Sequence, residues 1–192
     1  MTLTRRHGVA ILALVVCAVA IEVWMGRLPL GPDGTFGWWE PDIWSAHQSQ
    51  RVVDPYAVSH IVHGFLFYAL LHLVARQQRM EMRLVAAVGL EAFWEVMENS
   101  PIIIDRYRAV TIAQGYVGDS ILNSMSDVVM AALGFWLAWR LPVRTSLALV
   151  VIAEVAMALL IRDNLTLNII MLAFPIDAIK EWQMAAAPLH LR

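Results

Sequence analysis

The chain has 192 residues, 59% of them hydrophobic and only 16% charged, with a mean hydropathy of +0.61 and a formal net charge of −2. Soluble domains carry roughly 25% charged residues, so this composition belongs to a polytopic membrane protein. No basic stripe with interleaved aromatics is present, which argues against nucleic acid as a partner, and a single cysteine, Cys17, excludes an intrachain disulfide or a cysteine metal cluster.

Five runs are long enough to cross a hydrocarbon core of about 30 Å, which takes ~17–25 helical residues: 8–25, 58–75, 84–104, 119–139 and 145–161. The first follows Arg5 and Arg6 and continues apolar with only Glu22 interrupting it. We read it as an uncleaved anchor; a cleaved signal peptide ending near Ala18-Val19-Ala20 is the alternative. The loop 26–57 carries Trp38, Trp39 and Trp44, which suit the headgroup layer. A second reading makes this loop a lid over a site, contributing Ser45, His47, Gln48 and Gln50.

The second run opens with His60 and His63, and the third carries Glu91, Glu95 and Glu98, spaced four and three residues apart. Asn99-Ser100-Pro101 reads as an element that ends or kinks this helix. The fourth run begins with Asp119, Asn123 and Asp127, each four apart, so each set shares one helix face. Gly64, Gly89 and Gly134 are expected to let helices approach closely, and Glu154 in the fifth run to meet a polar partner. The segment 164–183 is either a kinked sixth span or an interfacial helix.

Arginines fix the expected orientation. Arg5 and Arg6, then Arg76, Arg79 and Arg83, then Arg140 and Arg144, fall on one side if every run spans. The positive-inside rule makes that side, and the N-terminus, cytoplasmic, in the plasma (inner) membrane of a bacterium. His60, His63, Glu95, Glu98, Asn99, Asp119, Asn123 and Asp127 then converge on the outer half of the membrane. A carboxylate at the bilayer centre costs about 2.5–3.5 kcal/mol, so the row marks a polar interior rather than a lipid-facing surface.

Three uses of such a pocket are open. His60 and His63, with Glu98, suit a divalent metal. Glu95, Glu98 and Asp127 suit general acid–base catalysis. His63, Asn99, Asp119 and Asn123, with Arg106 and Arg108 as clamps, suit a head group. Against all three stands mutual hydrogen bonding between helices with no ligand.

The blocks WSAHQSQ (44–50), DPYAVSHIVHGFLFY (54–68), EAFWEVMENSPIIIDRYR (91–108), GDSILNSMSD (118–127) and RDNLTLN (162–168) resemble a small bacterial inner-membrane family that carries a domain of unknown function. The resemblance implies a multi-pass plasma-membrane protein and says little about chemistry. A fainter similarity is to the VanZ-like family linked to glycopeptide-antibiotic resistance. There His63, Glu95, Arg106, Asp119 or Asp127, Asn123 and Gly134 would take the family's roles. Ser59-His60 and Glu98-Asn99 depart from its pattern. The expectation is an all-α transmembrane bundle of about five spans, a single domain over 1–192, with an outward-facing acidic and histidine-containing pocket. Such a pocket would bind or process a lipid or envelope precursor; proton- or ion-coupled transport and a purely structural partner are the alternatives.

Overall fold

The computed structural model describes residues 2–113 and 115–189. Within them lie eight helices: α1 (Arg5–Trp24), α2 (Ala57–Val74), α3 (Met80–Glu98), α4 (Pro101–Val110), α5 (Ile121–Arg140), α6 (Val143–Leu160), α7 (Leu165–Ala173) and α8 (Asp177–Met184). The described residues hold no sheet, only an isolated bridge between Trp39 and Val53.

Four helices, α1, α2, α5 and α6, are long and apolar enough to cross a membrane, not the five expected. The run anticipated at 84–104 is where the count changes. Its helix starts earlier, at Met80, and stops at Glu98, because Ser100 caps a new helix through its Oγ, which accepts from the Ile103 amide, and Pro101 occupies that helix's first turn. What remains as α3 carries Glu81, Arg83, Glu91, Glu95 and Glu98, too many charges for a lipid-facing span. The segment 164–183 forms two short helices of nine and eight residues, α7 and α8. At about 1.5 Å per residue neither approaches the ~30 Å of a bilayer core, so there is no continuous sixth span there.

α2 and α5 form the centre. A Cβ built on Gly64 would strike the backbone of Ala131 and Phe135, and one on Gly134 would strike the Ile61 carbonyl. The two helix backbones therefore touch, and only glycine permits it at these positions. α3 packs against this pair and against α1, and Leu71, Leu84, Ala87, Val88, Ala92, Val128 and Phe135 close the core between them. α1 and α6 lie at the periphery. Leu12, Val16, Val151, Ile152 and Leu159 all point outward, a distribution that suits hydrocarbon and not water. Glu22, the charge interrupting α1, is turned fully inward beside Ser124 and Arg27.

The two ends of the bundle differ in kind. At one end the Thr2 amide donates to Glu81, and Arg83 donates to the Ala75 and Arg76 carbonyls, tying the starts of α1 and α3 to the end of α2. At the other end the loop before α2 docks on the start of α5. Ser120 N donates to Ser49 O at 2.9 Å, Gln50 Nε2 to Gly118 O at 2.8 Å, and Asn123 Nδ2 to Arg51 O at 2.9 Å. The polar side chains gather at this second end.

Candidate functional site

The site grows from one carboxylate and two imidazoles. His60 and His63, one turn apart on α2, both turn their Nδ1 toward Glu91 of α3. His60 Nδ1 lies 2.6 Å from Glu91 Oε1, and His63 Nδ1 lies 3.1 Å from each Glu91 oxygen. Glu91 is fully buried, and the histidine rings meet edge to face at 5.3 Å. Glu95, one turn further along α3, places Oε1 3.3 Å from His60 Nδ1, within ion-pairing distance but without hydrogen-bond geometry, so both its oxygens lack a hydrogen-bond partner although the residue is fully buried. On the opposite edge of the His60 ring, Nε2 faces Asp127 Oδ2 of α5 at 3.8 Å, and Asp127 Oδ1 is buried without a partner. Two groups, His60–His63–Glu91 and His60–Glu95–Glu98, bring their ligand atoms within 4.8 Å of one another, so the donor sets for a divalent metal are present. Orphaned buried carboxylate oxygens are what a cation would satisfy, and the mix of imidazole and carboxylate fits a divalent ion.

Above the cluster lies a cavity of about 90 Å³. His60, His63, Glu98, Asp119, Asn123 and Asp127 face it from the helices and the turn before α5, and Asp54, Tyr56, Tyr107, Tyr116 and Asp163 complete its polar wall. It contains five carboxylates and neither lysine nor arginine among its described lining residues. The expected outward-facing pocket is therefore corrected to a buried site. The loop before α2 folds over it, held by Asp54, whose carboxylate accepts from Gln48 Nε2 (2.9 Å) and from the amides of Ser49 (3.0 Å) and Tyr56 (2.7 Å). Ser49 adopts φ 61°, an uncommon conformation for a non-glycine residue, at the point where this loop turns down onto α5.

Asp163 closes the other wall. It accepts from Tyr56 Oη (2.8 Å), Gln183 Nε2 (2.9 Å), the Asn164 amide (2.9 Å) and Asn168 Nδ2 (3.3 Å), joining the start of α2 to α7 and α8. Burial pushes both loop carboxyls upward despite these donors, Asp54 to about 6 and Asp163 to about 6. Asp119 takes a third set of bonds, from Asn99 Nδ2 (2.9 Å) and Tyr116 Oη (3.0 Å), while its amide donates to Asn99 Oδ1 at 2.6 Å.

The residues singled out in the sequence divide into three groups. His60, His63, Glu98, Asp119, Asn123 and Asp127 line the cavity, and Glu95 lies directly beneath it. Asn99 is fully buried and acts on the site by holding Asp119. Arg106 and Arg108 point elsewhere: Arg106 donates twice to the Leu172 carbonyl (3.0 and 2.8 Å) and Arg108 to the Tyr116 carbonyl (2.6 Å). Of the lid residues, Gln48 lines the cavity and Gln50 anchors the loop, whereas Ser45 and His47 stay outside it; Trp44 lines it too, and Trp38 and Trp39 remain exposed. Glu154 meets the Thr166 amide at 3.0 Å at the start of α7. Sequence reasoning passed over Asp54, Tyr56, Tyr107 and Tyr116, which sit in loops or in a short helix where no periodicity marks an inward face.

Residues 22–185 match the model of a family described as a protein of unknown function, DUF2585. Among curated proteins, the chain is 49% identical to a UPF0314 protein of Agrobacterium fabrum over 94% of this chain and 91% of that one. It is 47% identical to one of Rhizobium johnstonii (91% and 90%) and 45% identical to one of Paracoccus denitrificans (95% and 95%). No solved structure matches. These matches give no support to the similarity with the VanZ-like family. The resemblance to a family carrying a domain of unknown function is met by this one, and the chain belongs to it, the DUF2585 family.

Proposed function

We propose that this is an integral protein of the bacterial plasma membrane, with a cytoplasmic N-terminus, whose buried cavity binds or processes the polar head of a lipid or cell-envelope precursor. The observation that carries this reading is a cavity walled by acids, histidines and tyrosines at one end of a bundle whose flanking helices, α1 and α6, are apolar on the outside. An amphiphile in the outer leaflet would place its head in such a cavity and leave its chains in lipid. His63, Asp119 and Asn123 would position the head by hydrogen bonding. Glu98 and Asp127, both at the cavity wall, would accept or deliver a proton, with Glu95 behind them. A divalent metal held by the His60 cluster would supply Lewis acidity toward an anionic head, which a wall without lysine or arginine otherwise repels.

The rival reading is proton- or ion-coupled transport along the glutamate row. Transport needs polar groups through the full depth of the bundle. Below Glu91 the interior is Leu84, Ala87, Val88, Leu71 and Phe135, an apolar plug between the site and the arginine-rich end. That arrangement favours binding from one side.

Native mass spectrometry of the detergent-purified protein tests the proposal. A lipid or envelope precursor should co-purify with the wild type and be lost in Ala113→Trp, which fills the cavity wall. An empty wild type, or equal loading of the variant, would overturn it.

A further inference from the structure

The hydrogen bonds around the cavity sort its carboxylates. Glu98 is hydrogen-bonded to the Tyr107 hydroxyl, and Asp54, Asp119 and Asp163 each have both oxygens engaged by protein donors. Asp127 does not. Only 4% exposed, it lines the cavity with Oδ1 unpartnered, and its Oδ2 faces an imidazole nitrogen across a gap. That gap is informative. His60 Nδ1 has Glu91 at 2.6 Å and Glu95 at 3.3 Å, so the ring proton belongs on Nδ1. Nε2 then presents a lone pair to Asp127 Oδ2, two acceptors facing each other inside a protein. A second proton on the ring would pair the two by charge, but at 3.8 Å it makes no hydrogen bond and it leaves Asp127 Oδ1 unsatisfied.

A metal ion can both fill the gap and engage the orphaned carboxylate. Metal–nitrogen and metal–oxygen bonds of about 2.0–2.2 Å, meeting at the open angles of tetrahedral or wider coordination, separate N from O by roughly 3.3–4.1 Å. A histidine that gives its Nδ1–H to a carboxylate and its Nε2 to a metal is also the usual way a protein orients such a ligand. The geometry points to a divalent-cation site on the cavity face of His60, with His60 Nε2 and the Asp127 carboxylate as its protein ligands and the remaining positions open to the cavity. Glu91 is then a positioning residue, and His63, whose Nδ1 is occupied by Glu91, is outside the first coordination sphere. One imidazole with carboxylate oxygen suits Zn2+ or Mn2+. This deepens the head-group reading, on which it rests for the use of the open positions, but the ion's address stands on His60 and Asp127 alone.

The test uses full-length protein in detergent, stripped with chelator and titrated with Zn2+ alone and Mn2+ alone. The expected result is one equivalent bound, with the X-ray absorption spectrum of the Zn2+-loaded wild type showing one imidazole and otherwise oxygen. Asp127→Asn should weaken binding at least tenfold, and His63→Gln should change it by less than threefold. A spectrum with two imidazoles, or loss of binding in His63→Gln, would place the ion in the His60–His63–Glu91 group. Binding unchanged in Asp127→Asn would place it in the His60–Glu95–Glu98 group. Either result would overturn the proposal. So would a wild type that melts cooperatively yet binds no metal. Because the spectrum is taken on wild type, a misfolded variant does not stop the test. Co-purifying lipid is scored separately: metal without lipid sinks the head-group reading and leaves the ion site, and lipid without metal does the reverse.

Discussion

At the scale of single residues, Glu91 and Glu95 have similar burial and opposite surroundings. Glu91 takes both imidazole nitrogens, so Glu91→Gln turns one acceptor oxygen into an amide donor facing a donor. It should destabilise the protein by about 1–3 kcal/mol. Glu95 takes no hydrogen bond, so Glu95→Gln should leave the melting temperature near that of the wild type. Thermal melts of the two variants in detergent compare them directly, and equal losses would mean the row acts as one unit. Asp54 and Asp163 make a prediction about pH. Their folded values near 6 lie above the ordinary 3.8, so between those limits the folded state holds more protons than the unfolded state. Stability from these groups is therefore greatest below pH 4 and is lost as pH rises to 6, by roughly 3 kcal/mol for each. The melting temperature should climb as pH falls from 7 toward 5, and Asp54→Asn with Asp163→Asn should flatten that slope. The contrast between the helical and loop acids also shows what a sequence reveals. Glu91, Glu95, Asn123 and Asp127 were legible because helical spacing put them on one face. Asp54 was not, because its inward direction is set by the path of a loop and by donors within that loop, Gln48 and the Ser49 and Tyr56 amides.

At the scale of elements, the decisive contact is the crossing of α2 and α5. Gly64→Ala and Gly134→Ala each put a methyl group into opposing backbone, which cannot rotate aside as a side chain can. Each should cost at least about 3 kcal/mol, the upper end for overpacking. Gly8→Ala, at a helical position with nothing near its added carbon, should leave the melt unchanged or raise stability by up to about 1 kcal/mol. The close approach was expected at Gly64, Gly89 and Gly134 and occurs at the first and last, whereas an added carbon at Gly89 would meet only the Leu14 side chain at 3.5 Å. The break at Asn99-Ser100-Pro101 was expected from its proline. The length of the third run was misjudged because hydropathy counts residues without asking which face they occupy. α3 is buried among helices at its charged face, so its charges do not have to satisfy lipid.

At the scale of the whole molecule, the polar and arginine-rich ends give the bundle an axis. In the proposed orientation, a cysteine at Asp42 should be labelled by an impermeant reagent from outside intact cells, in a chain lacking Cys17. One at Gln78 should not be. Both positions are exposed, so labelling reads sidedness and not burial. The reverse pattern would invert the bundle and place the cavity in the cytoplasmic leaflet.

The parallel pairing of α2 with α5 has a consequence in time. Between Val74, where α2 ends, and Arg140, where α5 ends, the ribosome needs roughly 3–13 s at about 5–20 residues per second. Throughout that interval α2 is made but α5 is not, and the notch at Gly64 and the Nε2 edge of His60 lack the surface they face in the finished bundle. The nascent chain must therefore hold an apolar helix with a notch on one face until the second half arrives. The central contact of this bundle is thus one that its chain can make only late in synthesis.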